Sequence, residues 1–181
     1  MTNSPASFQS LRVMLDALLP ARAMLVVSAA CDEDGHGTLA SGLAEALADA
    51  GRKTVLISLH DRAAAEPSMC SAAVQYLSRA PKDLSEVLAD LRSQHDVVMV
   101  IAPPVPKDPI SLQVCRLADG VLLSVRMGRK ITADDENTVT QLRRVGATLL
   151  GIVATQQEMR KLKARRDLAV GTAKPLEPAV Q

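Results

Sequence analysis

The stretch Met24–Arg62, MLVVSAACDEDGHGTLASGLAEALADAGRKTVLISLHDR, decides the fold. An apolar run, Met24–Ala30, leads into a short polar loop, Cys31–Gly37. A helical pattern follows over Thr38–Ala50, with Leu39, Leu43, Ala46 and Leu47 on one face and Thr38 as a candidate cap. Gly51 is a helix stop, and Thr54–Leu59 is a second apolar run. Apolar runs without polar alternation suit parallel strands covered on both faces. The order strand, loop, helix, strand predicts a βαβ unit.

The same alternation extends outward. Phe8, Leu11, Leu15, Leu18 and Leu19 recur at helical spacing, so Ser7–Leu19 is expected to be an amphipathic helix ended by Pro20. That helix either packs on its own domain or offers a contact surface; Phe8, Leu11, Arg12 and Leu15 are the partner-binding candidates. Past Arg62 the reading is ambiguous up to Pro81, with a short helix expected at Ala72–Leu77. Asp83–Ser93 reads as a helix, Val97–Ala102 as a strand and Asp108–Leu117 as a helix. Gly120–Val125 is the next strand, Thr132–Val145 a helix capped by Thr132, and Thr148–Ala154 a last strand. Helix–strand alternation of this kind predicts a three-layer α/β domain over residues 1–156, with a mostly parallel sheet of about five strands. Residues 157–181 are charged, with Arg160, Lys161, Lys163, Arg165 and Arg166, and then rich in Pro and Ala; they are expected to form a flexible tail.

Composition removes several functions. Hydrophobic residues make up 48% of the chain, enough for a packed core, while aromatics make up 1%, too few for base-stacking nucleic-acid platforms. The formal charge of +1 supplies no field toward DNA or an anionic membrane. The cysteines, Cys31, Cys70 and Cys115, are widely spaced and suit a reducing compartment. No apolar run approaches the ~20 residues of a membrane span, and no signal peptide is evident at the N-terminus. A cytoplasmic location is the expectation, with any membrane association arising through a partner.

Laid out in order, these segments resemble the cytoplasmic P-loop domain of bacterial tyrosine kinases (BY-kinases), relatives of the MinD/ParA-like ATPases. The family's opening helix, E-x-F-R-x-L-R-T-N, falls on Ala6–Met14. Its loop P-G-E-G-K-S-T falls on Asp32, Glu33, Asp34, Gly35, His36, Gly37 and Thr38. A-x-x-G-x-x-V-L-L-I-D-x-D-x-R is matched by Ala48–Arg62, and Y-D-x-V-I-I-D-T-P-P-V by His95–Val105. The closing pattern, a-D-G-v-l-L-V-x-r and then L-x-x-x-G-a-x-l-l-G-v-V-x-N, is matched by Ala118–Arg126 and Leu142–Thr155. The resemblance implies a P-loop NTPase-like fold.

The chemical positions depart from that pattern. The phosphate-binding lysine is replaced by His36, and the Mg²⁺-binding hydroxyl by Gly37, with Thr38 one place late. Asp32, Glu33 and Asp34 put negative charge where phosphate would lie; one like-charge pair at 4 Å is worth ~4 kcal/mol at an effective dielectric of about 20. The carboxylates that hold metal and polarise water fall on Ser58 and His60, and the Walker-B carboxylate falls on Ile101, which cannot ligate Mg²⁺. Asp61 is out of register by one residue, and Thr155 stands at the base-reading Asn. Of the oligomerisation motif E-x-x-R-x-x-R only Arg12 remains, Tyr76 is the sole tyrosine, and a strand-containing segment between Arg62 and His95 is expected to be missing.

His36, His60 and His95 do not suggest a metal site, since His95 is expected at the opposite edge of the sheet; no metal is expected. The expectation is a non-catalytic regulator of exopolysaccharide or capsule polymerisation or export, with no cofactor. The resemblance implies a membrane-anchored polysaccharide co-polymerase, or chain-length determinant, as partner, with self-association as a further option and no nucleic acid. The alternative is a divergent MinD/ParA-type ATPase in positioning or secretion, which alone would use ATP and Mg²⁺.

Overall fold

The computed structural model describes residues 5–59, 74–77 (backbone) and 84–156. Its elements run α1 (Pro5–Asp16), β1 (Ala23–Ala29), α2 (His36–Asp49), β2 (Thr54–Ser58), β3 (Val74–Leu77), α3 (Leu84–Gln94), β4 (Val97–Ile101), α4 (Pro109–Leu117), β5 (Gly120–Arg126), α5 (Ala133–Arg144) and β6 (Leu149–Thr155). The six strands form one sheet in the order β3-β2-β4-β1-β5-β6, and every pairing is parallel. The expected sheet thus gains one strand. β3 lies in the stretch where a short helix was expected at Ala72–Leu77 and where a strand was expected to be missing. Four residues paired along Thr54–Ile57 overrode a local pattern too short to separate strand from helix.

Every residue of β1, β2 and β4 is buried, as parallel strands with helices on both faces must be. On one face Val26, Val55, Val98 and Val100 pack with Leu84, Leu88, Leu91, Val114 and Leu142 from α3, α4 and α5. On the other, Leu25, Val27, Met99 and Ile101 pack with Leu39, Leu43 and Leu47 of α2 and Leu15 of α1. β6 is an edge strand and is only partly covered, with Ile152 exposed.

The α1 stripe is used internally. Leu15 is buried, and Phe8 and Leu11 pack against the same core. Phe8 lies over Gly42 of α2, on the space that a side chain there would fill. Arg12 pairs with Asp16 at 2.6 Å and with Gln9 at 3.0 Å, and Arg52 ties Asp16 to the start of β2 at 3.1 Å. Of the two roles open to this helix, Phe8, Leu11 and Leu15 take the intramolecular one. The apolar side chains that α1 and its exit turn leave exposed are Val13, Met14 and Leu18.

β1 sits at the point where the winding reverses: β2 and β4 lie to one side of it and β5 and β6 to the other. Ligand crevices in open α/β sheets lie outside the carboxyl ends of the strands at such a point. The β1–α2 loop occupies it here. Among the described residues no helix is long and apolar enough to cross a membrane. The expected tail, residues 157–181, lies outside the described residues.

Candidate nucleotide-loop site

The β1–α2 loop is compact. A 3₁₀ turn at Asp32–Asp34 is followed by Gly35 at φ 71°, a left-handed conformation that suits glycine, and α2 begins at His36. Gly35 is therefore the N-cap, and Thr38 lies inside the first turn instead of capping the helix. The 3₁₀ turn and the left-handed glycine bring the helix start forward by two residues. His36 and Gly37 are both buried in that first turn.

Each residue of the acidic triplet faces a basic side chain from another segment. Lys107, in the β4–α4 loop, reaches Asp32 Oδ2 at 2.5 Å, and Arg126, the last residue of β5, reaches Glu33 Oε2 at 3.5 Å. Asp34 is the centre. Its side chain is fully buried. Arg129 donates from Nε to Oδ1 at 2.6 Å and from Nη2 to Oδ2 at 2.7 Å, the bidentate fork that guanidinium and carboxylate geometry favours. The Arg126 main-chain N–H donates to Oδ1 at 3.0 Å. The Asp34 carbonyl oxygen accepts from Ser124 Oγ at 2.8 Å and from Thr155 Oγ1 at 2.6 Å.

Arg129 is held in turn. Its Nη1 donates to Asp135 Oδ2 at 2.6 Å and to the Lys130 carbonyl at 3.0 Å, and its Nη2 also donates to Asp135 Oδ1. Asp135 accepts from Thr132 N at 2.7 Å and Thr132 Oγ1 at 3.0 Å, so it also fastens the start of α5, where Thr132 is the N-cap as the sequence suggests. The chain Asp34–Arg129–Asp135 thereby joins the β1–α2 loop, β5, β6 and α5.

Electrostatics follow this geometry. Burial alone would raise the Asp34 pKa, but Arg129, the Arg126 amide and the Cys31 thiol outweigh it and hold the carboxyl below the usual range. Hydrogen bonds from Arg129 hold Asp135 far below it. The Arg129 guanidinium is pushed up by Asp135 and Asp34. Burial, then the neighbouring Asp34, raises the Cys31 thiol, which opposes reactivity at this helix start.

The remaining candidate positions are placed as follows. Ser58 and Ile101 are neighbours in register at the carboxyl ends of β2 and β4 and are both buried. Ile101 packs into the apolar cluster beneath α2. His60 lies outside the described residues. His95 is buried before β4, at the amino edge, with Nδ1 3.0 Å from the Leu91 carbonyl. Among the described residues no group of three or more His, Cys, Asp or Glu could hold a metal ion. A magnesium-bound triphosphate needs an ammonium or guanidinium turned toward the loop and an oxygen ligand for the metal. Arg129 and Arg126 pair with Asp34 and Glu33, and Ile101 offers no oxygen.

Sequence reading found the acidic triplet and missed its partners. Arg126, Arg129 and Asp135 follow the loop by about a hundred residues, and the one available signal was charge balance: a buried carboxylate requires a cation.

No protein-family model matches the chain, and no curated protein sequence matches it. Solved structures do. The kinase domain of the Escherichia coli tyrosine kinase ETK superposes with a TM-score of 0.71 at 16% identity, over 98% of this chain and 80% of that one. The BceF tyrosine kinase domain gives 0.66 at 23% identity, over 84% and 77%. The septum site-determining protein MinD of Pyrococcus horikoshii, complexed with Mg-ADP, gives 0.58 at 15% identity, over 73% and 69%. The chain has the α/β P-loop NTPase-like fold shared by BY-kinase domains and MinD-like ATPases.

Proposed function

We propose that this chain is a non-catalytic BY-kinase-like protein that regulates exopolysaccharide or capsule polymerisation or export by binding a membrane-anchored co-polymerase. The observation that carries the reading is the Asp34–Arg129 pair, a buried carboxylate held by a guanidinium from the segment after β5, in the loop where an active relative would receive phosphate. Replacement of the phosphate-binding lysine by His36 and of the Walker-B carboxylate by Ile101 supports it. The likeness to tyrosine kinase domains supports the family assignment behind the polysaccharide role.

With Phe8, Leu11 and Leu15 turned inward, the contact surface passes to Val13, Met14 and Leu18, exposed by 58%, 64% and 60%. Titration calorimetry with Mg-ATP tests the catalytic half of the reading: no heat is expected up to millimolar nucleotide, and clear micromolar binding would restore the divergent ATPase. A pull-down from membranes tests the other half. Met14→Glu with Leu18→Glu should lose the co-polymerase without a change in Tm.

A further inference from the structure

We propose that Asp34 is a built-in anion, a carboxylate on the chain itself that takes the place of a bound oxyanion and clamps the carboxyl edge of the sheet shut. The inference rests on the reading that this loop receives no nucleotide. It goes further by saying what holds the edge together instead.

An oxyanion in a loop of this kind is gripped by main-chain N–H groups and by guanidinium or ammonium donors. Asp34 has that set of donors. Its oxygens receive Arg129 Nε and Nη2 and the Arg126 amide, and its own carbonyl takes the hydroxyls of Ser124 and Thr155. Those donors come from β5, from the loop after it and from β6, while Arg129 carries the connection to Asp135 at the start of α5. Asp32–Lys107 and Glu33–Arg126 close over the outside. The carboxylate is fully buried although it sits in a turn only three residues long, with half-exposed acids before it. A surface turn has no need of a buried charge, whereas a seat for an oxyanion does.

A structural ion pair would look the same in one respect, since removing either partner would destabilise the fold. The two differ in whether a free oxyanion can take the seat. The test compares wild type with Asp34→Ala by thermal melting, in sodium phosphate, sodium formate and sodium chloride at matched ionic strength. Asp34→Ala should melt roughly 10 °C below wild type in chloride. Phosphate or formate should then raise its Tm by several degrees more than they raise that of wild type. Equal shifts in the two proteins, or a variant that melts with wild type, would overturn the proposal. If the variant does not fold in chloride, refolding yield from urea becomes the readout: recovery in phosphate or formate supports a vacated seat, and equal failure in all three salts overturns it. Nucleotide is absent throughout, so a negative result here leaves the Mg-ATP experiment on wild type to be judged alone.

Discussion

Arg129 holds Asp34 with the Nε–Nη2 edge of its guanidinium, at 2.6 and 2.7 Å, across 95 positions of sequence, and turns its other edge on Asp135 six residues away. One cation is thus shared between two carboxylates, and both have little exposure to water.

Removing that cation should be costly. Arg129→Ala leaves Asp34 buried without its partner, and the loss in urea unfolding is expected to be about 3–5 kcal/mol. Arg129→Lys keeps the charge but cannot fork onto two carboxylates, so it should recover less than half of the loss. Lys107→Ala is the contrast. Its pair with Asp32 is more than half exposed on both sides, and about 0.5 kcal/mol or less is expected.

Stability should fall steeply in acid. Asp34 and Asp135 both have folded pKa values below the ordinary carboxylate value of 3.8. The unfolded chain therefore binds protons first. Their contribution is complete above about pH 5 and drains away below the ordinary value, by up to ~1.4 kcal/mol per pH unit for each carboxylate. Urea midpoints measured from pH 7 to pH 3 should show this loss, and Arg129→Ala should flatten it.

Gly42 is required for α1 to dock. A methyl group at this position would collide with the Phe8 ring, which would have to shift to admit it. Gly42→Ala is expected to cost about 1–3 kcal/mol and to release α1 first. Hydrogen exchange should show faster amide exchange across Pro5–Asp16, with protection of β1 and β4 unchanged.

Thiol reactivity should separate by burial. Cys115 is fully buried, and desolvation pushes its thiol from 9.0 up to about 12. The stability that this burial confers is complete below pH 9.0 and is lost as pH climbs toward 12. In the native protein at pH 8 Cys115 should resist a disulfide reagent until global unfolding. Cys31 is partly exposed but also has a raised pKa, so it should label slowly. Mass mapping of the modified peptides distinguishes the two.

The fold was legible because its signals are local. Leu25–Val27 and Val97–Ile101 are uninterrupted apolar runs, Gly51 and Gly146 mark helix ends with positive φ, and Thr132 caps α5. β3 was not legible, since Val74–Leu77 is four residues long and becomes a strand through pairing with β2. At the site, the departures expected at His36 and Ile101 rest on their position in the sequence. What the acids do was not evident, because Asp34 meets Arg129 and Thr155 only after four more strands have been laid beside β1 and β2. Thr38 illustrates the same limit on a smaller scale: a good capping residue was bypassed because the 3₁₀ turn started the helix two residues earlier.

The hydroxyl of Thr155 reaches back 121 residues to the Asp34 carbonyl. A ribosome working at about 5–20 residues per second spends on the order of 6–24 s between those codons. During that interval the acids of the β1–α2 loop are already outside or in the exit tunnel, while Arg126, Arg129 and Thr155 are still being made. The newborn chain therefore carries Asp34 as an ordinary hydrated acid, and the edge of its sheet closes only when β6 arrives.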